Sequence, residues 1–146
     1  MKAFRDGIYN ALVADVTLAA WTPAIAFSKG LPKGDQYAFP FVNVMVFQEE
    51  RETQTVGPTG KNIHQMTVAV ECGVKLLDPL AADDAILDLL DAVANVLENN
   101  KFGTLSESYE SHVQSIQRAR DKEGSHFVFV GTILARGGRR MLRQQH

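Results

Sequence analysis

Apolar positions along the chain alternate between two spacings, and the changes of spacing divide it into elements. Over residues 3 to 19, Phe4, Ile8, Ala11, Leu12 and Val16 recur at helical spacing while Arg5, Asp6 and Asn10 fall elsewhere. This predicts an amphipathic helix of about four turns. From Trp21 to Ala38 the period is lost among Pro23, Gly30, Pro32, Gly34 and Asp35, which predicts a long irregular connection. Phe39 to Phe47 then reads as a strand that is apolar on both faces: odd positions give Phe, Phe, Asn, Met and Phe, even ones Pro, Val, Val and Val. A half-exposed strand would alternate with polar residues. A second strand, Asn62 to Leu77, sets His64, Met66, Val68, Val70, Cys72, Val74 and Leu76 on one face and the mixed set Gln65, Thr67, Glu71 and Lys75 on the other. The polar, glycine-bearing stretch between them, 48 to 61, predicts a loop far longer than a hairpin needs.

Asp78-Pro79 is a helix start, with a carboxylate at the N-cap and proline at the first helical position. The helix is expected to reach about Asn99, with Ile86, Leu89, Leu90, Val93, Val96 and Leu97 as its buried stripe and Asp84, Asp88, Asp91 and Asn95 as a solvated acidic row. His112 to Arg120 reads as a weaker strand, its Val113 and Ile116 out of phase, which predicts a bulge or an edge position. After the turn Asp121-Lys122-Glu123-Gly124, Ser125 to Ala135 is a stronger strand. Residues 136 to 146 carry no core pattern and read as a flexible basic tail, leaving 1 to 135 as a single domain.

The order helix, strand, strand, helix, strand, strand predicts an α+β fold: a mainly antiparallel four-stranded sheet with two helices packed on one face. A helix is about 10 Å wide and strands lie about 4.8 Å apart, so two helices cover one face of such a sheet and cannot cover both. The second face needs either the 21 to 38 segment or another subunit. Self-association is the favoured expectation, because uncovered apolar surface marks interfaces.

Composition narrows the function classes. At 146 residues with 45% apolar and 22% charged side chains, the chain supports one hydrophobic core. A net charge of -2, from 15 basic and 17 acidic residues, gives no global attraction to nucleic acid. No stretch reaches the roughly 18 apolar residues of a membrane span, and the N-terminus lacks the apolar segment of a signal peptide. The single cysteine, Cys72, allows no internal disulfide and no CxxC pair, and its place on an apolar strand face predicts a buried thiol.

Candidate chemistry is sparse. Gly57-Pro58-Thr59-Gly60-Lys61-Asn62 has the look of the end of a phosphate-binding loop, but Val56 and Asn62 stand where the motif needs Gly and Ser or Thr, and a strand follows instead of a helix. His64, His112 and His126 fall on separate strands with no metal-ligand spacing. Ser106, Ser108 and Ser111 beside His112 lack a nucleophile elbow. No cofactor, metal or catalytic group is expected. Arg136, Arg139, Arg140 and Arg143 form the one local basic patch, and no aromatic residues are interleaved with them to stack bases.

The sequence of elements, with Phe39-Pro40-Phe41-Val42-Asn43-Val44, the charged exit Gln48-Glu49-Glu50-Arg51-Glu52, the strand Val68-Ala69-Val70-Glu71-Cys72-Gly73-Val74 and the Asp-rich helix, resembles the tail terminator proteins of long-tailed bacteriophages. The resemblance spans most of the chain. It implies a non-enzymatic virion subunit that assembles, in the host cytoplasm, into a hexameric ring at the head-proximal end of the tail. There it would cap the tail tube, stop its growth and receive the head. Its partners would be other copies of itself, the tail tube protein and head-tail connector proteins, with non-specific contact to passing DNA. On that reading Phe39, Phe41, Met45 and Phe129 pack at or beneath the subunit interface. Glu49, Glu50, Arg51 and Lys61 belong to a projecting loop, and Arg139, Arg140 and Arg143 face DNA or a neighbouring protein. Two alternatives stay open at this point: a connector subunit on the portal side, and a small ligand-binding or enzymatic domain using His64, His112 or His126.

Overall fold

The structure, a computed structural model, describes residues 2–30, 38–53, 61–98, 100–102 and 109–142. The chain runs through α1 (Lys2–Ala14), α2 (Val16–Ala19), β1 (Ala26–Lys29), β2 (Phe41–Thr53), β3 (Lys61–Leu76), α3 (Pro79–Leu97), β4 (Asn100–Phe102), β5 (Tyr109–Glu123) and β6 (His126–Leu142). It is an α+β fold, but among the described residues its sheet has six strands where four were expected, in the order β1-β2-β3-β6-β5-β4. The sheet is also mixed, because β1 pairs with β2 in parallel.

The two added strands are the short outer ones. β1 comes from the stretch expected to be an irregular connection and is tied to β2 by Ala26 N–H donating to Pro40 O (2.9 Å) and Gly30 N–H to Val44 O (2.8 Å). β4 pairs with β5 at the opposite edge. Strands this brief leave no measurable alternation in a sequence.

The inner strands are longer than their apolar patterns. The register of β2 on β3 shifts between Val46 and Gln48, so Phe47 is the extra residue of a bulge and is 62% exposed. A bulge inverts the phase of everything beyond it. The apolar pattern therefore stops at Phe47 while the backbone continues, pairing Glu49 with Met66, Glu50 with Gln65 and Arg51 with His64. Lys61 opens β3 opposite Leu142. These four residues belong to strands and not to a projecting loop. The rest of the expected loop, 54–60, lies outside the described residues.

A second bulge, between Val113 and Ser115 of β5, accounts for the phase break expected there: Val113 faces Ala135 and Ile116 faces Ile133. β6 runs on to Leu142, pairing Arg139 with His64 and Arg140 with Ile63. The segment read as a flexible tail from 136 onward is thus strand as far as 142, and Arg143 lies outside the described residues. β3 sits on one side of this stretch along its length, and such pairing depends on backbone hydrogen bonds more than on apolar side chains.

The single helix expected over 3 to 19 divides at Asp15, whose extended backbone ends α1 and whose carboxylate accepts the Leu18 N–H (3.0 Å) to cap α2. α3 begins at Pro79 as its sequence predicts. The Asp78 carboxylate makes no capping hydrogen bond; Asp78 contributes its carbonyl instead, accepting from Ala82 N–H at 3.0 Å.

Helices α1 and α3 pack on the same face of the sheet. Against them lie Val42 and Val44 of β2, Met66, Val68, Val70, Cys72 and Val74 of β3, and Phe129, Ile133 and Ala135 of β6. The helices supply Phe4, Ile8, Leu12, Ile86, Leu89, Val93 and Leu97 to this core. Close approach requires glycine: a Cβ at Gly131 would stand 2.6 Å from Leu90 Cδ1. No helix among the described residues is long and apolar enough to cross a membrane.

Candidate interaction surfaces

The opposite face of the sheet carries no described helix. Register places Phe41, Asn43 and Met45 of β2 there, beside Gly73, Glu71 and Ala69 of β3 and Val130, Thr132 and Leu134 of β6. Phe41 lies across Gly73, where a Cβ would collide with its ring. Phe39 meets Phe41 edge to face (centroids 5.4 Å apart, 61° between planes), and Lys75 Nζ stands 5.9 Å from the Phe39 ring. Asn43 is fully buried; its Oδ1 accepts from Ser28 Oγ at 2.8 Å, while its Nδ2 has no partner.

The four aromatic and sulfur side chains expected at one interface do not share a face. Phe41 and Met45 lie on the bare face, whereas Phe129 stands opposite Val74 on the helix side and belongs to the core. Phe41 and Phe129 are 3% and 8% exposed, so each packs beneath a surface and adds little area to it. Phe39 and Met45, both half-buried, can contribute contact area themselves.

The histidines also separate. His112 pairs with Arg136 of β6, His64 with Arg139, and His126 with Glu123. Along β6, ten residues separate the position opposite His112 from His126, about 33 Å of strand. His126 therefore cannot join the other two in one site. Among the described residues no three His, Cys, Asp or Glu side chains form a metal cluster. Cys72 is buried in the core; burial pushes its thiol far above the ordinary range, with the Glu71 charge adding to the effect.

Two open grooves flank α3, and the sequence pattern did not anticipate them as surfaces. One, of about 710 Å³, lies between the first turns of α3 and β5 and is lined by Pro79, Leu80, Asp83, Arg118, Arg120 and Phe129. The helices do not shelter β5 here: Arg118 and Arg120 stand opposite Gly131 and Phe129 on the helix side yet are exposed, and Ile116 is 45% exposed. Arg118 Nη1 reaches Asp83 Oδ1 at 3.7 Å. The other groove, of about 620 Å³, lies on the opposite flank of α3 and is lined by Asp15, Thr17, Trp21, Asp88, Asp91, Ala92, Asn95 and Val96. A signal for the first was present, since Leu80 and Leu87 are seven residues apart and fall outside the buried stripe of α3.

At the α1 end, Asp6 Oδ1 meets Arg5 Nη2 at 2.9 Å and Lys29 Nζ at 3.5 Å, tying α1 to β1. Burial works to raise the Asp6 pKa, but the Arg5 hydrogen bond and the Arg5 and Lys29 charges outweigh it and hold the carboxyl below its usual value.

No family model matches the chain, and no curated protein matches it in sequence. A solved structure matches in fold: a chain of the virion of a native gene transfer agent particle, with a TM-score of 0.58 and 17% identity, over 94% of this chain and 96% of that one. The two chains share the α+β architecture from end to end, without large additions on either side.

Proposed function

We propose that this chain is a structural subunit of a phage-type virion and that, like the tail terminators it resembles, it forms a ring on the head-proximal end of the tail tube. The observation that carries the reading is the end-to-end fold match to a virion chain, with neither partner holding a domain that the other lacks. The distance of His126 from His64 and His112 supports a non-enzymatic role, since the three histidines do not converge. Assembly, not turnover, is then the function. The bare sheet face, with Phe39 and Met45 partly exposed, meets other virion proteins: the tube below or the connector above. β6 would bring its arginine-bearing end toward the same junction.

The test is genetic. Removal of the gene from the producing genome should leave filled heads and headless tails of uncontrolled length in the lysate, as seen by negative-stain microscopy. Tails of normal length lacking only heads would point to a connector instead, and normal particles would remove the virion reading altogether.

A further inference from the structure

Among the described residues, the exposed large apolar side chains are not scattered. Leu76 (37%), Leu77 (63%), Leu80 (66%), Leu87 (37%) and Ile116 (45%) belong to the end of β3, the turn before α3, α3 itself and the β5 strand beside it. Val13 (41%) and Val16 (82%) flank Asp15, which lines the groove on the other side of α3 together with the half-buried Trp21. Only Phe47, at the β2 bulge, falls elsewhere in this set. Each apolar patch has its own sign of charge. Arg118 and Arg120 line the first groove, with Lys122 following on the same face of β5. Asp15, Asp88 and Asp91 line the second. Asp83 partly offsets Arg118 at 3.7 Å, but among the described residues Arg120, Asp88 and Asp91 have no ion-pair partner.

We infer that the two flanks of α3 are the two halves of one contact, the basic flank of one copy, with its exposed leucines, receiving the acidic, valine- and tryptophan-bearing flank of the next. The occupant is a second copy of this chain because the complement to each flank is on the molecule itself, in charge and in apolar character. The halves differ, so the contact is head-to-tail, and repetition of one rotation gives a closed ring or an open filament. Opposite charge steers the approach and fixes orientation, while the apolar side chains supply buried area. The inference supplies the ring of the preceding section with its subunit contact and rests on that reading for closure alone. The pairing of the flanks stands on the charges and exposures themselves.

Sedimentation velocity of the full chain over a concentration series at low salt tests it. The wild type should self-associate, and added salt should weaken the association. Reversing one flank, with Arg118→Glu and Arg120→Glu or with Asp88→Lys and Asp91→Lys, should weaken it at least about tenfold. A chain carrying both reversals, which cancel in net charge, should regain association near the wild-type strength. All these positions are exposed or half-exposed, and circular dichroism should report native folding in each variant. Association unchanged by either single reversal, folded double-reversal chains that remain monomeric, or a wild type that stays monomeric at every concentration would each overturn the inference. None of these outcomes touches the virion reading, which is decided on particles.

Discussion

On the helix side of the sheet, Val42, Val44, Val68, Val70 and Ile133 are excluded from solvent beneath helical side chains; on the reverse of the same strands, Phe41, Asn43, Ala69 and Val128 are nearly as buried with no described helix over them. The first face is aliphatic, with glycine where a helical side chain presses closest. The second mixes an aromatic pair, a buried amide and charged neighbours, and Phe41 is shielded by lying across Gly73 with Phe39 at its edge. Equal burial thus has two origins: a helical layer on one side, a layer one side chain deep on the other. Only the second lacks a described helix, and it is the face on which the proposed docking to other virion proteins falls.

The comparison is sharpened most by Cys72, which belongs to the helix-covered face. Its thiol should react with an alkylating reagent at least about a thousandfold more slowly in the native chain than in the unfolded one, reacting only through opening of the core. Rapid labelling of the folded protein would mean that the helical layer opens readily.

Truncation tests the same contrast in free energy. Leu89→Ala, beneath α3, should reduce stability by about 3 kcal/mol in urea denaturation. Met45→Ala, on the bare face, should reduce it by less than about 1 kcal/mol, because the side chain is already partly solvated. Similar losses from both would erase the distinction between the faces.

The Ser28–Asn43 pair gives a smaller effect with a diagnostic pattern. Ser28→Ala leaves the buried Asn43 amide without a partner on either polar atom and should cost about 1–2 kcal/mol. Ser28→Ala combined with Asn43→Leu removes both polar partners and should fall within about 1 kcal/mol of wild type. A double variant worse than the single one would show that the amide is satisfied in a way these contacts do not reveal.

The smallest effect lies at the rim. Asp6→Asn should cost about 0.5 kcal/mol at neutral pH, the usual size for a partly exposed ion pair. The folded pKa of Asp6 is depressed, so its contribution is present above the unfolded carboxylate pKa of about 4 and is lost as pH falls through the folded value. Wild type and variant should therefore converge in urea stability in strong acid.

What could be read from the sequence follows from where period and packing coincide. The α3 stripe at Ile86, Leu89, Leu90, Val93 and Leu97 is buried as its spacing predicts, Val96 of the same expected stripe is only half-buried, and Asp84, Asp88, Asp91 and Asn95 are exposed. Val68, Val70, Cys72 and Val74 keep strict alternation on the covered face. The pattern failed where a single residue changes the phase. Phe47 at its bulge hid the outer part of β2, and Glu49, Glu50 and Arg51 were consequently assigned to a loop. It failed again where strands are held by backbone pairing in polar sequence, as in β6 beyond Ala135. β1 and β4, of four and three residues, were too short to carry a period. Phe129 could not be assigned to a face from the sequence, because Phe127 to Leu134 is apolar on both faces and alternation alone cannot say which face meets the helices. The grooves beside α3 depend on which strand the helices leave uncovered, and that is a consequence of strand order, which local pattern does not encode.

Purified particles from the producing lysate, labelled with an antibody raised against this chain and imaged by electron microscopy, test the central claim most directly. The account predicts label at a single place on each particle, the junction of head and tail, and none along the tube. Label spread along the tail, or particles that carry none of the chain by mass spectrometry, would contradict it.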